Sequence, residues 1–412
     1  MNKIIHPSGY EGLIKAPSSK SYMQRAVAIA LLAEGETIIE NADFSKDSRA
    51  ILQMASQLGA QIQISENRVV IKGKPSFNGG ILSAGESGLG IRTFIPLVSL
   101  FSEKIELSGE GSLLQRPIFM VEGPLNQLGV QTNSQDGYLP ISVKGPLKGG
   151  HAEVDGSISS QFLSGLLIAL PLVKNNSVLT VNKLQSIPYI DMTLDILKDF
   201  GAIIEHHNYE EFTIKGHQKY LARNYQIEGD WSNAAFHLVA AAIDGNVIVR
   251  GLNLSSLQAD KAILEALRKA GAQIISTEEW VHIIKAPLQA FDFDATHCPD
   301  LFPPLVVLAA ACKGITTLKG VRRLFHKESN RALVLQKEMG KIGINIIIEQ
   351  NIMKIKGGRI KGGSLHSNND HRIAMAAAVA GLTAHQPVEI KEAEAVNKSY
   401  PEFFKDFESL CL

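Results

Sequence analysis

The sequence predicts an α/β protein of the repeat (α+β) type, with two similar domains of three βαβαββ-like units each. Three observations lead there. Five segments, LGAQIQISENRVVIKG, LGVQTNSQDGYLPISVKG, FGAIIEHHNYEEFTIKG, AGAQIISTEEWVHIIKA and IGINIIIEQNIMKIKGG, run from an apolar helix end through glycine into two short strands joined by a polar turn. Their leading glycines, Gly59, Gly129, Gly201, Gly271 and Gly343, lie 70, 72, 70 and 72 residues apart, the period of a repeated supersecondary unit. Between the hairpins recurs a helix of small apolar residues followed by a strand, with helix starts near positions 19, 87, 159, 231, 300 and 371. Finally, the sixth unit lacks its hairpin. The last helix, about residues 400–410, stops where the hairpin would begin, and residues 1–16 end in GYEGLIKAP, much like the EWVHIIKAP ending of the fourth hairpin. The N-terminal strands are therefore expected to complete the final unit. One domain then spans residues 17–228 and the other residues 1–16 plus 229–412, with chain crossings near 16–18 and 228–230.

Taken in order, the first helix opens in Ala16-Pro17-Ser18-Ser19-Lys20-Ser21-Tyr22-Met23-Gln24-Arg25 and continues apolar to about Ala33. Hydroxyl side chains suit a helix N-terminus, where free backbone N–H groups and the positive dipole end attract anions. Ser21 and Arg25 are four apart and share a helix face, with Lys20 at its mouth. An ordinary serine cap beside solvated basic residues would look the same over this stretch alone. Five later helices with polar starts favour a shared anion-binding design. The second follows Gly85-Glu86-Ser87-Gly88-Leu89-Gly90 and carries Arg92; no Gly-Lys-Ser/Thr follows, so this is not a Walker loop, nor is it a dinucleotide fingerprint. Arg116 precedes Pro117, a residue that favours helix starts, and could clamp a carboxylate or phosphate.

Ser159-Ser160-Gln161 opens the third helix with two hydroxyls and an amide, where capping and ligand binding are compatible. DWSNAAF opens the fourth and CPDLFPP the fifth, which carries Asp300. In HKESNR, Lys327 and Arg331 are expected on one helix face with Glu328 a turn from Arg331, a pattern that a solvated ion pair also explains. Asp370-His371-Arg372 opens the sixth, and its alanine-rich continuation suits a closely packed helix. Arginine there opposes the helix dipole, so an anion or a neighbouring carboxylate is expected beside it. Asp300 and Glu328 are the acids best placed for proton transfer.

Composition narrows the function classes. The chain has 412 residues, enough for two substantial cores, with 45% apolar and 20% charged residues, as in ordinary globular enzymes. Lys plus Arg and Asp plus Glu both number 41, so a broad nucleic-acid surface is not expected. The N-terminus lacks a signal-peptide pattern and no apolar run approaches membrane-spanning length, so no membrane association is expected. Cys298, Cys312 and Cys411 are odd in number and lack metal-ligand spacing, reading as buried or incidental thiols of a reducing cytoplasm. His206-His207 falls in an expected hairpin turn, and Asp292 and Asp294 alternate on a strand without further ligands, so no metal site is assigned.

The motifs PSSKSYMQR, the glycine-rich turn through Arg92, QRPI, VDGSISSQF, PYIDMT, IEGD, CPD, HKESNR, NDHR and NKSYPEFF occur in an order that resembles the 5-enolpyruvylshikimate-3-phosphate synthase family over nearly the entire chain. The resemblance implies two three-unit domains with helices packed inside and sheets outside. It implies transfer of the enolpyruvyl group of phosphoenolpyruvate to the 5-hydroxyl of shikimate 3-phosphate, with release of phosphate. By that resemblance Lys20, Ser21, Arg25, Ser159, Ser160, Gln161, Ser186, Asp300 and Lys327 contact shikimate 3-phosphate. Lys20, Gly88, Arg116, Gln161, Arg331, Arg372 and Lys398 serve phosphoenolpyruvate, and Asp300, Glu328 and Lys20 are catalytic, Asp300 as base. No cofactor and no metal is implied, and a cytoplasmic monomer is expected. Glu86-Ser87-Gly88-Leu89 departs from the family's Asn-Ala-Gly-Thr, Arg323 stands where some members have asparagine, and Asn330 replaces an aspartate before Arg331.

Both substrates are polyanions, so converging cations and helix N-termini suit them. The facing charges are expected to repel when no ligand is bound and to close on a polyanion, hinged at the two chain crossings. Two other functions remain open on the sequence: enolpyruvyl transfer to a UDP-amino sugar, and a non-catalytic phospholigand-binding repeat protein.

Overall fold

The computed structural model describes residues 1–412 apart from Lys74, Asn78 and His326, so the first residue of HKESNR lies outside the described residues. The chain forms two compact units, one of residues Ser18–Ile227 and one of Met1–Pro17 with Glu228–Leu412.

In Ser18–Ile227 three helices form the interior. In Lys20–Leu32, Gly88–Val98 and Ser160–Ala169 nearly every residue is buried, which small and apolar side chains on all faces permit. Gly165 shows how closely two of them approach: a Cβ there would lie 2.8 Å from the Thr93 carbonyl oxygen. Three four-stranded sheets cover this interior, and strands such as Arg68–Lys72 alternate buried and exposed residues. In two of these three sheets one rule holds. The strand before a core helix runs parallel to the strand after it, as Gly150–Asp155 does with Ser177–Asn182, and the repeat's hairpin adds two antiparallel strands. An amphipathic outer helix joins the two parts, as Lys46–Gln57 does in the first unit.

The other unit repeats the scheme around Trp231–Asp244, Phe302–Ala311 and His371–Leu382, again almost wholly buried. The α/β repeat architecture is thus as the glycine period predicts. Four local expectations need correction. The N-terminal strands do not both complete the sixth unit: Lys3–Ile5 pairs antiparallel with Val388–Lys391 there, but Tyr10–Lys15 runs parallel to Gly245–Arg250 of the fourth. The reason lies in the parallel-strand rule. Asn224–Gln226, which precedes helix Trp231–Asp244 in sequence, pairs instead with Glu36–Glu40, so each crossing leaves its strand in the unit that the chain departs.

Residues 327–330 are not helical, so Lys327 and Arg331 do not share a helix face. The helix starts at Arg331, where the Asn330 side chain caps it by accepting from the Leu333 N–H. Pro117 starts no helix either. It lies between the short turns Gly111–Gln115 and Phe119–Val121, and Arg116 is extended, as a residue before proline tends to be. His206 and His207 end the strand Ile204–His207 rather than forming its turn, which uses Asn208 and Tyr209 at φ 50° and 58°. Both histidines are exposed, as surface residues.

Candidate active site

In Ser18–Ile227 most of the residues expected at the site lie at or near the starts of the core helices. Ser19 caps the first, and Lys20 reaches out of its first turn to Asp47, Nζ to Oδ2 2.7 Å. Asp47 sits in the first turn of Lys46–Gln57, which Ser45 caps. Beneath that turn the Asp43 carboxylate accepts from Ser45 Oγ (2.5 Å) and from Ser48 Oγ. Burial pushes the Asp43 carboxyl up to about 6, against the pull of the two serines and Lys20. Arg25 is fully buried: Nε donates to Thr193 Oγ1 (2.8 Å), Nη1 to the Ser21 carbonyl (2.9 Å) and Nη2 to the Tyr189 carbonyl (3.1 Å). The shared face of Ser21 and Arg25 is therefore real. Burial lowers the Arg25 guanidinium to about 10, which leaves it charged at neutral pH. Thr193 and Tyr189 lie on helix Ile187–Asp199, whose capping residue Ser186 is left-handed at φ 57° and buried.

The second and third core helices are joined by Arg92. Its Nη1 donates to the Gly88 carbonyl (3.2 Å) and to Gln161 Oε1 (3.1 Å), and its Nη2 donates to the Pro117 carbonyl (2.9 Å). One guanidinium thereby holds the glycine turn, Gln161 and the Arg116-Pro117 segment. Ser159 caps the third helix, accepting from the Gln161 N–H (3.2 Å), and Ser160 begins it. Ser87 caps the second and donates to Gln24 Oε1 (3.0 Å), tying it to the first. Glu86 accepts from the Ser112 N–H and Oγ and so anchors the turn leading to Arg116. The Arg116 head lies against Gly88, where a Cβ would be 2.3 Å from Nη1. Arg116 is 8% exposed, and its Nε is buried with no hydrogen-bond partner among the described residues. None of the three helices carries an acid in its first turn, although acids are favoured there.

The other unit holds an ion cluster. Asp300, in the turn Pro299–Leu301, meets Arg331 Nη1 (2.8 Å) and Lys327 Nζ (3.3 Å) through Oδ1 and Arg372 Nη2 (3.2 Å) through Oδ2. Arg331 also donates from Nε to Asp370 Oδ2 (2.9 Å) and from Nη2 to Glu328 Oε2 (2.5 Å). Asp370 caps helix His371–Leu382, accepting from the Arg372 N–H (3.0 Å). The conflict between Arg372 and its helix dipole is thus relieved by carboxylates, the second of the two expected remedies. Arg372 Nη1 nonetheless stays buried without a hydrogen-bond partner among the described residues. Lys398 ends the turn Ala393–Lys398 and is buried.

Burial alone would raise Asp300, but Arg372, Lys327 and Arg331 outweigh it and hold the carboxyl well below the usual range. Asp260 goes the other way: burial first, then the charge of Asp300, push it up to about 7. Burial lowers Lys327, partly countered by Asp300. Ligand anions entering such a cluster offset its cations, which makes Asp300 a stronger base.

The sequence-expected residues therefore fall into two sets. Lys20, Ser21, Arg25, Gly88, Arg116, Ser159, Ser160, Gln161 and Ser186 belong to Ser18–Ile227, and Asp300, Lys327, Glu328, Arg331, Arg372 and Lys398 to the other unit. Sequence reading misses Asp43, Asp47 and Asp260, and sees Arg92 only as part of a turn. Asp47 and Asp260 matter through partners on other elements, Lys20 and Ser232, while Asp43 bonds nearby Ser45 and Ser48 and is set apart by its burial, which no local spacing marks.

A sequence model of the family described as EPSP synthase (3-phosphoshikimate 1-carboxyvinyltransferase) matches residues 5–407. The 3-phosphoshikimate 1-carboxyvinyltransferase of Clostridium perfringens is 39% identical over 413 residues, covering 99% of this chain and 97% of the relative. That of Clostridium novyi is 38% identical over 421 residues, with coverage of 99% and 97%. The EPSP synthase structure from Acinetobacter baumannii superposes with a TM-score of 0.84 at 26% identity, covering 100% of this chain and 98% of that one. The enolpyruvyl transferase NikO from Streptomyces tendae shares the fold, with a TM-score of 0.81 at 16% identity over 99% and 97% of the two chains. On the match over residues 5–407 and these identities, the chain belongs to the EPSP synthase (3-phosphoshikimate 1-carboxyvinyltransferase) family.

Proposed function

We propose that this transferase uses its two sets of residues to bind shikimate 3-phosphate and phosphoenolpyruvate and to move the protons of carboxyvinyl transfer between them. The observation that carries the site assignment is a pair of buried guanidiniums, Arg116 and Arg372, each with an N–H that has no protein partner among the described residues. Buried N–H groups are normally satisfied, and a phosphate or carboxylate oxygen would satisfy these. Family membership supports reading these anions as those of the two substrates.

In the unit Ser18–Ile227, acid-free helix starts and Lys20, Ser21, Arg25, Ser159, Ser160, Gln161 and Ser186 suit the phosphate and hydroxyls of shikimate 3-phosphate, and Gly88 and Arg116 suit phosphoenolpyruvate. In the other unit Asp300, ionised under its three cations, accepts the proton of the attacking 5-hydroxyl. Glu328, 13% exposed and held by Arg331, delivers a proton to the enol methylene carbon and takes one back from the resulting methyl group as phosphate leaves, which restores the vinyl double bond. Arg372, with Arg331 behind it, steadies the phosphate that leaves when the carbon–oxygen bond breaks, and Lys398 holds the phosphoenolpyruvate anion from the ground state on. Lys20, held against Asp47, serves both anions.

The same reading makes the protein a cytoplasmic monomer. Three free thiols fit a reducing compartment, and among the described residues no helix is long and apolar enough to cross a membrane.

Phosphate release is expected from shikimate 3-phosphate with phosphoenolpyruvate, and not when a UDP-amino sugar replaces the shikimate. Lys20→Met and Asp300→Ala should each lose nearly all turnover while remaining folded. Label in the bridging oxygen of phosphoenolpyruvate should leave in phosphate; label kept in the organic product would overturn this bond assignment.

A further inference from the structure

Behind Lys398 lies a buried hydrogen-bond chain that none of the substrate contacts explains. Helix Trp231–Asp244 turns Asn233 and His237, one helical turn apart, toward the segment that follows Lys398. Asn233 makes a two-point clamp on Ser399: its Nδ2 donates to the Ser399 carbonyl (3.2 Å) and its Oδ1 accepts from Ser399 Oγ (3.2 Å). His237 has no exposed surface and stands between two tyrosines, Nδ1 2.6 Å from Tyr10 Oη and Nε2 3.2 Å from Tyr400 Oη. Tyr400 in turn donates to Asp406 Oδ2 (2.7 Å).

These partners order the protons. Burial pushes His237 down to about 3, so its ring is neutral and has one donor and one acceptor nitrogen. Because Tyr400 spends its proton on Asp406, its oxygen accepts from Nε2–H. The bare Nδ1 then accepts from Tyr10. The chain runs one way, from Tyr10 through His237 and Tyr400 to Asp406, and every buried polar atom in it is used. It links the N-terminal strand Tyr10–Lys15, a core helix and the C-terminal helix Phe403–Glu408 at the residues just after Lys398.

We propose that Asn233, His237 and Tyr400 are positioning residues for Lys398, holding the backbone behind it so that its ammonium is presented to phosphoenolpyruvate. The proposal rests on the assignment of Lys398 to that substrate. A lysine side chain is long and rotamer-rich, so fixing its base lowers the entropy lost when the ammonium meets an anion. The contact is electrostatic and present in the ground state, so its weakening should appear in KM for phosphoenolpyruvate rather than in kcat.

Steady-state kinetics on Tyr400→Phe, which keeps the ring and removes the hydroxyl, tests this. The hydroxyl's two hydrogen bonds, to His237 and to Asp406, are lost, and transmission of about one hydrogen bond's worth to Lys398 predicts a rise of about three- to tenfold in KM for phosphoenolpyruvate. KM for shikimate 3-phosphate and kcat should stay within about twofold, since neither reads the Lys398 contact in this scheme. Asn233→Ala should do the same by the separate clamp, and serves if Tyr400→Phe does not fold. Adding Tyr400→Phe to Lys398→Met should raise KM no further. An unchanged KM for phosphoenolpyruvate in both folded variants, an equal rise in both KM values, or additivity in the double variant would overturn the proposal. If Lys398→Met alone left KM for phosphoenolpyruvate unmoved, the assignment of Lys398 would be wrong and this proposal would fall with it.

Discussion

Arg331 has no exposed surface, and its three guanidinium nitrogens meet the carboxylates of Asp300, Glu328 and Asp370. Removing such a group leaves three acids without their shared counter-charge. Arg331→Met is therefore expected to lose about 3–5 kcal/mol of stability, read as a lower denaturant midpoint; an unchanged midpoint would remove the cluster from the fold's stability. Asp260 supplies a pH test. Its carboxyl is raised to about 7 in the folded protein, so the folded state holds a proton that the unfolded chain has already released above its ordinary value near 3.8. Stability from this group is greatest below that value and declines as pH rises toward 7. Asp260→Asn keeps an oxygen for the Ser232 hydroxyl, which bonds Asp260 in the parent, and does not titrate. Its melting temperature relative to the parent should be higher at pH 8 than at about pH 4.5, the low end of the titration window. Asp43 titrates in both proteins, so its own contribution largely cancels in that comparison, and Asp300, held well below the usual range, stays ionised through this window. A constant difference would mean that Asp260 holds no such proton.

At the scale of elements, the core helices of Ser18–Ile227 are built to leave their starts electropositive. Acids are absent from three first turns, and serines do the capping instead. Gly88 is where this design is tightest, because its missing side chain makes room for the Arg116 head. Gly88→Ala should displace that guanidinium and raise KM for phosphoenolpyruvate by about tenfold, as loss of one charge-assisted contact would. KM for shikimate 3-phosphate should hardly move; a larger change there would place Gly88 elsewhere. Helix starts at positions 19, 87 and 159 were legible because a capping serine bonds an N–H two or three residues away, inside the window that a sequence motif spans. Residues 327–330 were misread as helical for the same reason in reverse. Charges at helical spacing look alike whether or not the backbone turns, and the Asn330 cap decides that it starts later.

On the scale of the whole molecule, each unit has its own buried core, one centred on the helices of Ser18–Ile227 and one on Trp231–Asp244, Phe302–Ala311 and His371–Leu382. A ligand that binds only the folded protein stabilises it by mass action. Shikimate 3-phosphate at a hundred times its Kd should add about 2.7 kcal/mol, a rise of roughly 5–10 °C in Tm for units of this size. The UDP-amino sugar should give none. Calorimetry showing the reverse would move the substrate assignment to the other acceptor.

The sequence by itself determined the repeat, the glycines that end its helices, the alternating hairpins, the polar helix starts and, through the order of its motifs, the family. All of these rest on interactions within a few residues or on a period that survives without coordinates. Tertiary structure decided the rest, because it depends on partners that no local spacing reveals. Tyr10–Lys15 and Asn224–Gln226 read as strands, but only the sheet register shows that each stays with the unit the chain is leaving. Arg92 became a tie between Gly88, Gln161 and Pro117, and Arg372 found Asp300 across 72 residues of sequence. His237 meets Tyr10 across 227. The ionisation of Asp260 and Asp300 could not be read in advance at all, since burial and the sign of the nearest charges set it, and both exist only once distant elements have packed together.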